Sequence, residues 1–146
     1  MFTILGVSIS KFVLQVSVLN GGLRELYLQY RQRASFLMVY ILEAHAKDEW
    51  PLGVERSSLP QHLTHKDRVA ALRKLLSEDK HGTFSEDLNC ESGIPVVVDT
   101  MENKFNELFA AWPERAYVIK NGKLDLITYP EDGYLHECAR KYLQQL

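Results

Sequence analysis

Two short runs, Phe36-Leu37-Met38-Val39-Tyr40-Ile41 and Ile94-Pro95-Val96-Val97-Val98, are apolar at every position. Strands of that kind must be covered on both sides, the condition of interior strands in a sheet with helices on each face. Around them the apolar period changes. Leu23, Leu26 and Tyr30 follow the Gly21-Gly22 break with charges between them and predict an amphipathic helix ending near Arg33. Val69, Leu72, Leu75 and Leu76 predict a second helix over about residues 66–76, beyond a long loop bounded by Pro51 and Pro60. Phe105, Leu108 and Phe109 mark a third, and Leu135, Cys138, Ala139, Tyr142 and Leu143 a fourth, from about residue 134 to 146. Asn121-Gly122 stands between the strand-like runs Ala116–Ile119 and Leu124–Ile127, a strong hairpin signal. The β-branched residues of the first nineteen add one or two buried strands. Residues 77–93 are polar and predict a surface loop with Phe84 and Leu88 as its large anchors. The order strand, helix, strand, helix, strand, helix, hairpin, helix predicts a single α/β domain over residues 1–146, a mixed central sheet with flanking helices.

Composition removes several function classes. Lys and Arg number 17 against 19 Asp and Glu, with no basic stripe to track a phosphate backbone, so nucleic acid is not expected as a partner. Cys90 and Cys138 are far apart and lack a C-x-x-C, which speaks against a disulfide framework or zinc site. His45, His62, His65 and Glu43 lack a compact ligand spacing, so no metal is expected. Lys11 and Gln15 interrupt the apolar N-terminal stretch before it is long enough to cross a bilayer, and no basic region precedes it. As written, the chain reads as intracellular and soluble.

The order of elements is the thioredoxin-like plan, and Trp112-Pro113-Glu114-Arg115 falls near the cis-proline position of that superfamily. More specific are the residues. Tyr40-Ile41-Leu42-Glu43-Ala44-His45, followed by Asp48-Glu49-Trp50, resembles the Y-I-x-E-A-H-x-x-D-x-W strand and loop of the iodothyronine deiodinases. His62 with Asp67-Arg68 resembles the family's second histidine and H-x-x-x-x-D-R helix start. Pro95 to Asn103 is similar to P-V-V-V-D-x-M-x-N, and Pro113-Glu114-Arg115 with Tyr117-Val118-Ile119 to P-E-R-x-Y-x-I. The likeness runs from about Leu23 to Leu146, broken by an insertion around residues 77–92.

The resemblance implies a thioredoxin-like selenoenzyme that removes iodine reductively from an iodinated aromatic hormone, with a thiol reductant as co-substrate, no bound cofactor, and a homodimer as the family's usual assembly. Family members are usually membrane-anchored. The nucleophile is a selenocysteine, or in some relatives a cysteine, because only a soft group ionised at neutral pH attacks iodine well. Counting back from His45 sets Val13 opposite that residue, and valine has no such chemistry. Residues 1–20 are accordingly read as an atypical, non-native N-terminus that replaces the catalytic turn. Cys90 sits among Glu86, Asp87 and Glu91, surroundings that disfavour a thiolate.

The catalytic residues implied are His45, Glu43 and His62. His45 closes a buried strand at the end where open α/β sheets place ligand-binding groups, and by resemblance contacts the hormone or relays protons. Glu43, two residues before it, is expected on the same strand face as its orienting carboxylate. His62 is expected as a second proton donor or substrate contact, the alternative being a surface histidine that caps the helix near Asp67. Where the family has a glycine-rich basic loop, this chain reads Thr128-Tyr129-Pro130-Glu131-Asp132-Gly133, without an arginine. Tyr40, Trp50, Phe105 and Phe109 are left to the core. Two other functions remain open: a catalytically silent thioredoxin-fold binding protein, and another thiol-redox enzyme of the peroxide-reductase kind.

Overall fold

A computed structural model describes residues 2–9, 22–54, 57–129, 132 and 135–145. The expectation about Val13 falls outside these residues. Strand β1 is Phe2–Ile9, helix α1 Gly22–Tyr30, and strand β2 Ser35–Tyr40. They are followed by α2 (His65–Glu78), β3 (Phe84–Ser85), β4 (Ile94–Val98) and α3 (Lys104–Phe109). The chain continues as β5 (Glu114–Lys120), β6 (Lys123–Ile127) and α4 (Leu135–Leu143).

The sheet order is β3-β4-β2-β1-β5-β6. Strands β3, β4, β2 and β1 run parallel, while β5 is antiparallel to both β1 and β6. This is the mixed sheet with flanking helices of the thioredoxin-like plan. Two of the interior strands, β2 and β4, are the apolar runs that sequence singled out. Phe36, Met38 and Tyr40 of β2, with Ile94 and Val96 of β4, face a core closed by Leu23 and Leu26 of α1, Leu72 and Leu75 of α2, and Leu143 of α4. Val39 faces the opposite side with Ile41 beyond it, in a smaller core that Phe105 and Phe109 of α3 pack against. The last two rings stack at 4.7 Å. Asn121 and Gly122 adopt φ values of 54° and 73°, the left-handed pair that a tight hairpin turn needs.

The 77–93 segment differs from its expected form. Phe84 is buried in a two-residue edge strand, whereas Leu88 is 60% exposed and anchors nothing. What pins the segment is polar: the Glu91 carbonyl accepts from Tyr27 at 3.0 Å and from Arg31 at 2.5 Å, and the Ser92 carbonyl accepts from Arg24 at 3.2 Å. Side-chain donors on one helix meeting loop carbonyls leave no hydrophobic pattern to read.

Helix α2 starts on a capping box. Thr64 Oγ1 accepts from the Asp67 N–H at 3.2 Å and the Asp67 carboxylate accepts from the Thr64 N–H at 2.9 Å. Among the described residues, no helix is long and apolar enough to cross a membrane. Thr64→Ala removes one half of the box and is expected to lower unfolding stability by about 1 kcal/mol. Chemical denaturation at pH 7 measures it, and an unchanged midpoint contradicts the assignment.

Candidate functional site

Register places the ends of three parallel strands in one row. Ile9 of β1 pairs with Tyr40 of β2, which pairs with Val98 of β4, and across the antiparallel seam Ile9 pairs with Glu114 of β5. Carboxyl ends of parallel strands are where this class of sheet holds ligands. The Trp112–Pro113 peptide is cis, immediately before Glu114, as the resemblance implied.

Strand β2 ends at Tyr40, so the alternation expected to put Glu43 and His45 on one strand face does not reach them. The chain turns, and Glu43 folds back under the strand end. It is buried, and its carboxylate accepts a hydrogen bond from the Tyr40 hydroxyl. Gln61 fixes this turn: its amide oxygen accepts from Glu43 N–H at 3.1 Å and its amide nitrogen donates to the Glu43 carbonyl at 3.0 Å. The adjoining His62 is thereby held over the same spot, with Nε2 3.5 Å from the Tyr40 hydroxyl and 4.0 Å from Glu43 Oε1. His62 is buried, and the capping role belongs to Thr64, so the surface-cap alternative is set aside.

His45 stands at the outer side of this turn. Its Nδ1 lies 3.3 Å from the Trp50 carbonyl, and its ring meets the Trp50 indole at 4.9 Å. Trp50 is 58% exposed and therefore not a core residue. The structure thus joins Glu43 with His62 through Tyr40, and places His45 with Trp50. Among the described residues, no group of three His, Cys, Asp or Glu has the arrangement to hold a metal ion.

Electrostatics separate the groups. Burial, then the charge of Arg68, pulls His62 down to about 4, so it is neutral at pH 7. Burial alone pushes Glu114 up to about 7. Tyr40 is pushed far above the usual phenol range by burial, then by the Glu43 carboxylate. Arg68 reaches the back of His62, donating from Nε to Nδ1 at 3.4 Å. A cavity of about 420 Å³, within the size range of small-molecule sites, opens between residues 59–63 and α2 with His62 in its wall.

Three residues were missed as site members. Tyr40, Arg68 and Glu114 each stand in a motif quoted for the resemblance, but none had a role attached to it. At the altered basic loop a guanidinium is nevertheless present, since Arg115 lies over the Tyr129 ring at 4.4 Å and donates to the Thr128 carbonyl at 3.2 Å. Cys90 also departs from expectation. Hydrogen bonds from Ser92 and Ser85 lower its thiol to about 7 despite the neighbouring acids. It sits beyond β3, with β4 and β2 between it and β1.

The family model described as iodothyronine deiodinase matches residues 9–146. The type I iodothyronine deiodinase of Xenopus laevis is 36% identical over 104 residues, covering 71% of this chain and 36% of that protein. The thyroxine 5-deiodinase of Sus scrofa is 34% identical over 137 residues, covering 86% of this chain and 39% of that protein. The thyroxine 5-deiodinase of Homo sapiens is 34% identical over 129 residues, covering 86% and 38%. The chain spans a little over a third of the length of these curated relatives.

Two pH dependences follow. A histidine held near 4 instead of 6.5 contributes stability that is complete above 6.5 and is lost as pH falls through 4. Thermal stability is expected to drop by on the order of 2 kcal/mol across that window, and His62→Gln is expected to flatten the drop. Glu114 has the opposite sign: its contribution is complete below 4.5 and lost as pH rises through about 7. Glu114→Gln is therefore expected to melt above the parent at pH 8 and level with it at pH 4. Parallel melting curves at both pH values contradict this.

Proposed function

The chain belongs to the iodothyronine deiodinase family, and on that premise we propose that it carries the proton-handling half of a reductive deiodination site for an iodinated aromatic small molecule. The observation that supports this reading is the convergence of Tyr40, Glu43, His62 and Glu114 at one carboxyl edge, with His45 on the loop beside it.

In family members a selenol or thiol takes the iodine and a thiol reductant regenerates it. The remaining work falls to protons. The ring carbon that loses iodine keeps the electron pair and must receive a proton, which turns the carbon–iodine bond into a carbon–hydrogen bond. His45 is the proposed donor, a histidine held at Nδ1 by the Trp50 carbonyl. Glu114, which keeps its proton to about 7 at the end of β1, is a second reserve at working pH. His62 is neutral and works as a hydrogen-bond donor through Nε2 toward the Tyr40 hydroxyl, rather than as an acid. It also meets substrate entering the adjoining cavity.

Val13→Cys tests the reading. With an iodinated thyronine and a dithiol, the variant is expected to release iodide where the parent releases none, and His45→Ala in that background is expected to cut the rate about a hundredfold. Peroxide turnover without iodide release favours a thiol-redox enzyme instead. Ligand binding with no gain of chemistry favours a silent binding protein.

A further inference from the structure

Arg68 is 2% exposed, and the acceptors around its guanidinium are neutral. Nη1 donates to the carbonyls of Asp99 at 3.1 Å and Thr100 at 2.5 Å, Nη2 to Asn103 Oδ1 at 2.9 Å, and Nε to His62 Nδ1 at 3.4 Å. A buried cation without a directly bonded carboxylate is costly, and an apolar side chain of similar volume usually packs as well or better. What an apolar residue cannot do is donate to the imidazole.

That donation has a chemical consequence. A guanidinium only donates, so Nδ1 of His62 must present its lone pair, and the single proton of the neutral ring then sits on Nε2. Nε2 faces the Tyr40 hydroxyl, whose own proton is given to Glu43. The four groups therefore form one directed chain, Arg68 to His62 to Tyr40 to Glu43. Reversing the imidazole tautomer would set two donors, Arg68 Nε–H and His62 Nδ1–H, against each other.

We propose that Arg68 is a positioning residue of this site: by donating to Nδ1 it fixes His62 as the Nε2–H tautomer and sets the direction of the chain that ends on Glu43. Its catalytic consequence rests on the deiodination reading; the tautomer does not. The groups that face His62 are Tyr40 from β2, Glu43 and Gln61 from the adjoining loops, and Asp67 and Arg68 from α2, with Asp99 behind Arg68. Of these, Asp67 acts against Arg68 by favouring the charged ring.

Long-range proton–nitrogen correlation spectra of the ¹⁵N-labelled chain report which ring nitrogen is protonated, with His62→Gln assigning the signals. In the unsubstituted chain at pH 7, Nε2 is expected to carry the proton and Nδ1 to be bare. In Arg68→Gln the ring is expected to sample both tautomers and to titrate above the parent's value of about 4, part of the way back to 6.5, because burial, the larger cause, persists. Arg68→Lys, which keeps the charge but not the planar fork, is expected to lie between the two. A protonated Nδ1 in the unsubstituted chain overturns the proposal without any variant having to fold. So does a cooperatively melting Arg68→Gln protein whose His62 keeps the parent's tautomer and titration. If the tautomer is as expected but Val13→Cys never releases iodide, the deiodination reading fails and the assignment to Arg68 stands.

Discussion

A positive charge that donates only to neutral groups organises this site. Arg68 enters from α2 and ties it to the Asp99–Asn103 segment that follows β4. That segment is itself fixed, because the buried Asp99 carboxylate accepts from the N–H groups of Thr100 at 2.8 Å, Phe105 at 2.9 Å and Asn106 at 3.0 Å. One carboxylate thus starts α3 and presents the carbonyls that receive Arg68. Helices on opposite faces of the sheet are thereby tied through Arg68 to the same imidazole.

Sheet register decides where that coupling is used. The strand ends at Ile9, Tyr40 and Val98 lie in a row, and the cis Pro113 delivers Glu114 to the end of it. Burial acts on two groups in opposite senses, raising a carboxyl to about 7 on one side of the row and holding an imidazole neutral on the other. A carboxyl poised near 7 can give or take a proton around neutral pH.

The fold was largely legible because the interior strands β2 and β4 have almost no polar residues to confuse the pattern, and because Asn121-Gly122 permits few turns other than the one it makes. The edge strand β3 was not, since two residues are too few to show a period. Glu43 and His45 were marked as candidates by their motif, but the alternation used to relate them failed where the strand stopped at Tyr40. Tyr40 and Arg68 escaped for a common reason: a residue's letter reports its average preference, and both are exceptions. One is an apolar-looking strand residue whose hydroxyl does the work, the other a helix charge turned inward. Pairings made by tertiary contact leave no spacing in the chain.

The proposed place for an iodinated ring is the carboxyl edge of β1, β2 and β4. Amide chemical-shift mapping with an iodinated thyronine, and with the same compound lacking iodine as control, tests it most directly. Iodine-dependent shifts are expected to concentrate at Tyr40, Glu43, His45, His62 and Glu114. Shifts confined to the far edge of the sheet, or identical for the two compounds, contradict it.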